Sequence, residues 1–260
     1  MDILSRSKIN FLMANWPNHT VAVTNYFQDL DISNQLLAIY KKNKWVKSIG
    51  RGAYIKYNDK LHYQGAIYAL QKHELMTVHP GAKTALSLLG KTHYLEFQTK
   101  QVYLFGSTKE RLPSWVDKNE WHIELKFNQT SFMPPTLGLI EYNVGEYTIM
   151  ISDTVRAFLE CLLLAPKDQD ILECFEILEG LNDLRPDKVN EYLRQCSSIK
   201  VKRLFLYLAE KSGHQWFQYI NAESLDLGNG NRSLAEDGMY SSKYKITIPK
   251  TFKEHGKLVV

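Results

Sequence analysis

The feature that most constrains the fold is a change of apolar period within the first sixty residues. Ile9, Leu12, Met13 and Trp16 recur at helical spacing, and Ser5 or Ser7 is placed to cap the start. Pro17 ends that helix. After a short extended piece, Thr20–Val23, Thr24 is positioned as the N-cap of a second helix through about Leu30. Asp31-Ile32-Ser33 reads as a tight turn. Ser33 then caps a third helix, from Asn34 to about Asn43, with Leu36, Leu37 and Tyr40 facing inward. Beyond it the period falls to two. Trp45–Ile49 and Ala53–Tyr57 flank Gly50-Arg51-Gly52, whose glycines allow the positive φ of a hairpin tip. Two short helices joined by a tight turn and followed by a hairpin predict a winged helix-turn-helix.

Charge falls on the same segment. Residues 1–60 hold nine basic side chains against four acidic ones, whereas the whole chain carries only +4. The other 200 residues are therefore slightly acidic, and the positive excess belongs to the winged-helix segment. That is the electrostatic footprint of a module that faces phosphates. Ser33, Asn34 and Gln35 open the reader helix, where amides can bond adenine edges. Lys41, Lys42, Lys44 and Lys47 suit phosphates, and Arg51 at the wing tip can enter the minor groove. Thr24, at the start of the preceding helix, completes the expected DNA-binding set. A helix pair and hairpin used only for packing is the competing reading, and the concentrated charge favours DNA.

The rest of the chain reads as a second domain over 61–260. It is strand-rich to 151, helical over 152–222, and ends in a tail over 223–260. An apolar helical pattern runs from His62 to His73, and Met76–His79 looks extended. Pro80-Gly81 leads into a short helix that Gly90 stops. Tyr94–Phe97, Val102–Phe105, His122–Phe127, Leu139–Val144 and Tyr147–Ile151 read as strands. Ser152 is positioned to cap a helix that ends before Pro166. Ile171–Leu181, Pro186–Cys196 and Lys200–Lys211 are further helices, and Tyr244–Ile248 is a short strand. The fold class expected is α+β, with at least two domains.

Catalytic signatures are missing. Eight histidines show no zinc-ligand spacing, and there is neither a Gly-x-Ser-x-Gly elbow nor a phosphate loop. His79 before Pro80 reads as structural. Phe105-Gly106-Ser107 is read as a turn, since the paired carboxylates of a nucleotidyltransferase do not follow it. Gly228-Asn229-Gly230-Asn231 is taken as a surface turn, and Trp216, Phe217 and Tyr219 as packing residues. A nuclease would need clustered carboxylates, but Glu96, Glu124, Glu141 and Glu146 stand singly. Cys161, Cys174 and Cys196 read as buried thiols of a reducing compartment. No apolar run approaches membrane length, so a cytoplasmic protein with no membrane partner and no cofactor is expected.

Over nearly its full length the chain resembles the AbiEi-type antitoxins of type IV toxin–antitoxin systems. The resemblance is carried by Ile49-Gly50-Arg51-Gly52-Ala53-Tyr54 at the wing and by His79-Pro80-Gly81 with Ala85-Leu86 in the middle. Arg156-Ala157 in the helix after Ser152, Lys200-Val201-Lys202-Arg203-Leu204 and Leu208-Ala209-Glu210 follow. Leu227-Gly228-Asn229-Gly230, Gly238 and Lys243-Tyr244 complete it; order and spacing give the match its specificity. The resemblance implies a nucleotidyltransferase-like toxin as partner, neutralised by the C-terminal part either directly or without a stable complex. It also implies autorepression through inverted repeats upstream of both genes, bound by a homodimer or by cooperating monomers. Arg156, Lys200, Lys202 and Arg203 are then candidates for toxin neutralisation, with a DNA-facing or structural role as alternatives. Arg156 could pair with Asp153 within its helix, and Lys200, Lys202 and Arg203 read as a solvated basic cluster. The rival function is an enzyme with an accessory winged helix, either a nuclease or a toxin-modifying enzyme. A second rival is a winged helix that meets protein rather than DNA.

Overall fold

The computed structural model describes residues 3–91, 101–250 and 252. Along the chain the elements are α1 (Ile3–Asn15), β1 (Ala22–Val23), α2 (Thr24–Asp29), α3 (Asn34–Lys42), β2 (Val46–Gly50) and β3 (Ala53–Lys56). Next come α4 (Tyr63–Lys72), β4 (His79–Pro80), α5 (Ala82–Leu88), β5 (Gln101–Gly106), α6 (Ser114–Asp117), β6 (Glu124–Gln129), β7 (Leu139–Asn143) and β8 (Thr148–Ser152). The C-terminal part holds α7 (Thr154–Leu164), α8 (Ile171–Glu179), α9 (Pro186–Gln195), α10 (Ile199–Ser212), β9 (Arg232–Ser233), β10 (Gly238–Ser241) and β11 (Ile246–Pro249). The architecture is α+β, as expected. The strand expected at Tyr94–Phe97 lies outside the described residues.

Two compact units share these elements, and neither is continuous in sequence. The first takes 1–79, 99–129 and 141–151; the second takes 80–98, 130–140 and 152–260. The break between units therefore does not fall at residue 60. Helix α4, strands β5 and β6, and most of the β7–β8 pair belong with the winged-helix segment.

Within the first unit, Ile9 and Leu12 of α1 and Trp16 just beyond it pack with Phe27, Ile32, Leu37, Tyr40 and Val46. The Trp16 and Phe27 rings meet edge-on at 5.7 Å. Most of these side chains belong to the apolar stripes read from the sequence; Ile32 of the turn joins them, while Met13, Tyr26, Leu30 and Leu36 are only partly buried against this core. A three-stranded antiparallel sheet of order β1-β3-β2 closes the core. Downstream, β5 and β6 run parallel, Gln101 opposite Glu124 through Gly106 opposite Gln129. Parallel neighbours require a crossover, and the connection through α6 supplies it. Ser107 does begin a turn: its N–H donates to Glu110 Oε2 at 2.8 Å.

The second unit is built on α7, whose residues are buried on nearly all sides. Helix α5 packs on it, and α10 lies against both α7 and α8. Asp153, not Ser152, caps α7, its carboxylate accepting from the Arg156 N–H at 2.9 Å. The Ser152 hydroxyl is used elsewhere, donating to Glu160 at 2.8 Å. The tail folds into a small sheet of order β10-β11-β9, antiparallel then parallel. Cys161, Cys174 and Cys196 are free and buried, and burial pushes all three thiols up.

Candidate nucleic-acid interface

The turn between α2 and α3 is set by backbone bonds that reuse the end of α2. Ile32 N–H donates to Phe27 O at 2.8 Å, and Asp31 N–H to Gln28 O at 2.9 Å, with Asp31 in the left-handed region at φ 52°. Buried Ile32 anchors the turn from below. Ser33 then adopts extended geometry, and its Oγ accepts from Leu36 N–H at 3.2 Å, so the expected cap of α3 is present. Leu37 and Tyr40 face inward. Asn34, Gln35, Ala38, Ile39, Lys41 and Lys42 are all exposed on the other face.

The hairpin beside it has Val46 opposite Lys56 and Gly50 opposite Ala53, with an irregularity between Ser48 and Gly50. Gly52 takes φ 74°, which a side chain would strain, while exposed Arg51 stands at the tip. Thr24 is half-buried and serves this tip. Its N–H donates to Gly52 O at 2.9 Å, and its hydroxyl to the same oxygen at 3.3 Å. It starts α2 as the first helical residue, and Val23 is the cap position.

Lys41, Lys42, Lys44, Lys47 and Arg51 are exposed. Lys47 reaches Asp59 O at 3.3 Å, Lys41 lies 6.0 Å from the Tyr54 ring and Lys44 lies 5.9 Å from the Tyr57 ring. Among the described residues, no carboxylate forms an ion pair with any of the five. Their charge is left to solvent or to an external anion, at a place where helix and wing project side by side.

Two supports of the wing were not legible beforehand. A Cβ on Gly50 would stand 2.6 Å from Trp115 Cβ of α6, so β2 and α6 pack together only because residue 50 has no side chain. Asn119 donates to Ile49 O at 2.8 Å. Both partners lie more than sixty residues downstream, and neither carries a local motif; Gly50 was the sole hint.

Lys200, Lys202 and Arg203 do not form a solvated cluster, and Arg156 does not face solvent either. Arg156 is 3% exposed and pairs with Glu160 at 2.9 Å rather than with Asp153. It also donates to Pro134 O, Pro135 O and Leu137 O. Glu160 in turn accepts from Ala82 N–H at 3.0 Å. Arg203 is 1% exposed and donates to Leu227 O, Gly228 O, Gly230 O and Lys245 O at 2.7–2.9 Å. Lys200, half-buried, donates to Leu163 O and Ala165 O at the end of α7, and burial lowers its pKa. Lys202 is buried too. The missed signal is clearest in α7, which is apolar nearly all round and leaves Arg156 no solvent side; in α10 the run Val201–Leu206 is buried without a break, and Lys202 and Arg203 with it. The glycine-rich turn at 228–231 is thereby the seat of the Arg203 guanidinium.

His79 is buried, its Nδ1 2.7 Å from Thr77 O, as befits a structural histidine. Trp216 packs inside with its N–H on Leu181 O, whereas Tyr219 is largely exposed. Among the described residues no group of three or more side chains is arranged to hold a metal ion. Among those same residues no helix is long and apolar enough to cross a membrane.

Two family models cover the chain. Residues 99–249 match a family described as the transcriptional regulator, AbiEi antitoxin, of type IV toxin–antitoxin systems. Residues 5–97 match the AbiEi antitoxin N-terminal domain of a transcriptional regulator. This chain belongs to the AbiEi antitoxin family. No curated protein matches it at a significant level. Among solved structures, the crystal structure of the RV2827C protein from Mycobacterium tuberculosis is similar to this AbiEi chain. The TM-score is 0.59 over 95% of this chain and 92% of that one, at 11% identity, a likeness of fold alone. The family models meet near residue 98, whereas the compact units of this AbiEi chain interleave across that point.

Proposed function

We propose that this antitoxin represses its own operon by laying α3 into the major groove of inverted repeats, with the wing on the flanking backbone. Thr24, Ser33, Asn34, Gln35, Lys41, Lys42, Lys44, Lys47 and Arg51 form the interface. Thr24 acts through the wing tip, and the others touch DNA. The observation that carries this reading is the group of exposed cations on α3 and the hairpin, none ion-paired with a carboxylate of the described chain. Two copies occupy the repeat, as a dimer or as cooperating monomers, because one reader helix specifies too few base pairs. The second unit neutralises a nucleotidyltransferase-like toxin in the cytoplasm. Arg156, Lys200, Lys202 and Arg203 serve neutralisation by holding that unit in shape. The chain acts by binding and is not an enzyme.

A mobility-shift assay with the DNA upstream of its operon tests the regulator half of this proposal. A shift that survives excess random DNA is expected; its absence sinks the reading. Rescue of growth on co-expression with the neighbouring toxin tests the other half. Turnover of DNA, RNA or ATP in the presence of magnesium would show that an enzyme has been mistaken for a binding protein.

A further inference from the structure

The outward face of α3 combines three chemistries. Gln35 and Ile39 are four residues apart, so their side chains are neighbours along one side of the helix. Lys42 lies on the same outward face, and Lys41 borders it. Ile39 is 45% exposed. A branched aliphatic side chain in that position is not needed for the core, which Leu37 and Tyr40 already fill. A protein partner that covered Ile39 would also have to desolvate the ammonium of Lys42 and the amide of Gln35. The major-groove edge of DNA suits all three, because it returns a partner to each group that it desolvates. Adenine offers an acceptor and a donor to an amide, thymine offers an apolar methyl, and phosphates lie to either side.

We infer that Ile39 packs against the 5-methyl group of a thymine adjacent to the adenine bonded by Gln35. Each half-site is then centred on A·T pairs, with Ile39 a specificity-determining residue. The inference rests on the DNA-binding reading above. It adds which bases are read and by what chemistry.

The test uses the full-length protein and the upstream DNA segment that it protects from cleavage. Each thymidine in the protected segment is replaced in turn by deoxyuridine, which differs only by the lost methyl. For the unmodified protein, one or two positions per half-site weaken binding by about three- to fivefold, the worth of one buried methyl. Ile39→Ala binds more weakly overall and is indifferent to the same replacements. If both proteins respond alike at every thymidine, Ile39 does not touch a methyl group; repression of the operon would stand and the inference would not. Loss of a dimer of the free protein in Ile39→Ala would place the side chain in a protein interface, again overturning the inference. If no upstream segment is bound at all, the inference and the regulator reading fall together.

Discussion

Replacing Lys41 and Arg51 together by alanine tests the docking face directly. Lys41 stands at the end of α3 and Arg51 at the wing tip, so the pair samples both projecting elements. Neither is ion-paired among the described residues, and Lys41 has only a 6.0 Å approach to the Tyr54 ring to lose. Stability should therefore change by no more than about 0.5 kcal/mol, the usual range for such surface sites. Binding should change much more. With two copies on an inverted repeat, the double replacement withdraws about four cations from phosphates, and each contributes about 0.9 to the slope of log K against log salt. The slope should become shallower by roughly 3 to 4, and affinity should fall at least about tenfold at moderate salt. Fluorescence anisotropy with labelled operator DNA over a salt series reads both quantities, and thermal melting verifies the fold. An unaltered slope in a well-folded double variant would refute the proposed orientation on DNA.

Three further outcomes follow from particular contacts. Arg203→Met leaves four tail carbonyls without their buried donor and should cost about 3 kcal/mol or more, read as a lowered melting temperature. An unchanged melting point would mean that the clamp contributes nothing net. Gly65→Ala would place a Cβ 1.8 Å from His19 O, and the chain should melt far lower or fail to accumulate; normal melting would contradict that backbone approach. His73 is pulled down to about 4, mainly by burial and partly opposed by Asp29. The unfolded chain therefore binds the extra proton first, and this contribution to stability, full above about 6.5, should drain as pH falls towards 4. After allowance for solvent contact it is about 1–2 kcal/mol. Denaturant titrations across that window should show the slope, and His73→Gln should flatten it.

What the sequence made legible is local. The Ser33 cap, the turn at Asp31 and the hairpin around Gly52 each depend on residues a few positions apart, whose stereochemistry leaves little choice. The same locality explains a one-residue error at α7: Ser and Asp both cap helices, and only Ser152's commitment to Glu160 makes Asp153 the cap. The roles of Arg156 and Arg203 were hidden for another reason. Charged side chains are assigned to solvent by default. The four partners of Arg203 are backbone carbonyls, which carry no sequence signature. For Arg156 the i,i+4 carboxylate of Glu160 was legible, but the carbonyls of Pro134, Pro135 and Leu137 were not. The support of the wing by Trp115 and Asn119 needed the crossover between β5 and β6, a long-range pairing that no period reveals.

The interleaving of the two units bears on how such a regulator can be dissected. The polypeptide passes from one unit to the other after residues 79, 98, 129, 140 and 151. A reader excised at residue 60 would leave behind α4, α6 and the β5–β6 pair, and with them the buttress under its hairpin. A single nick at one crossing would not part the two units, since the other four still join them. No single contiguous cassette swapped between relatives would carry one whole unit and leave the other intact; such chimaeras must graft side chains onto an intact scaffold.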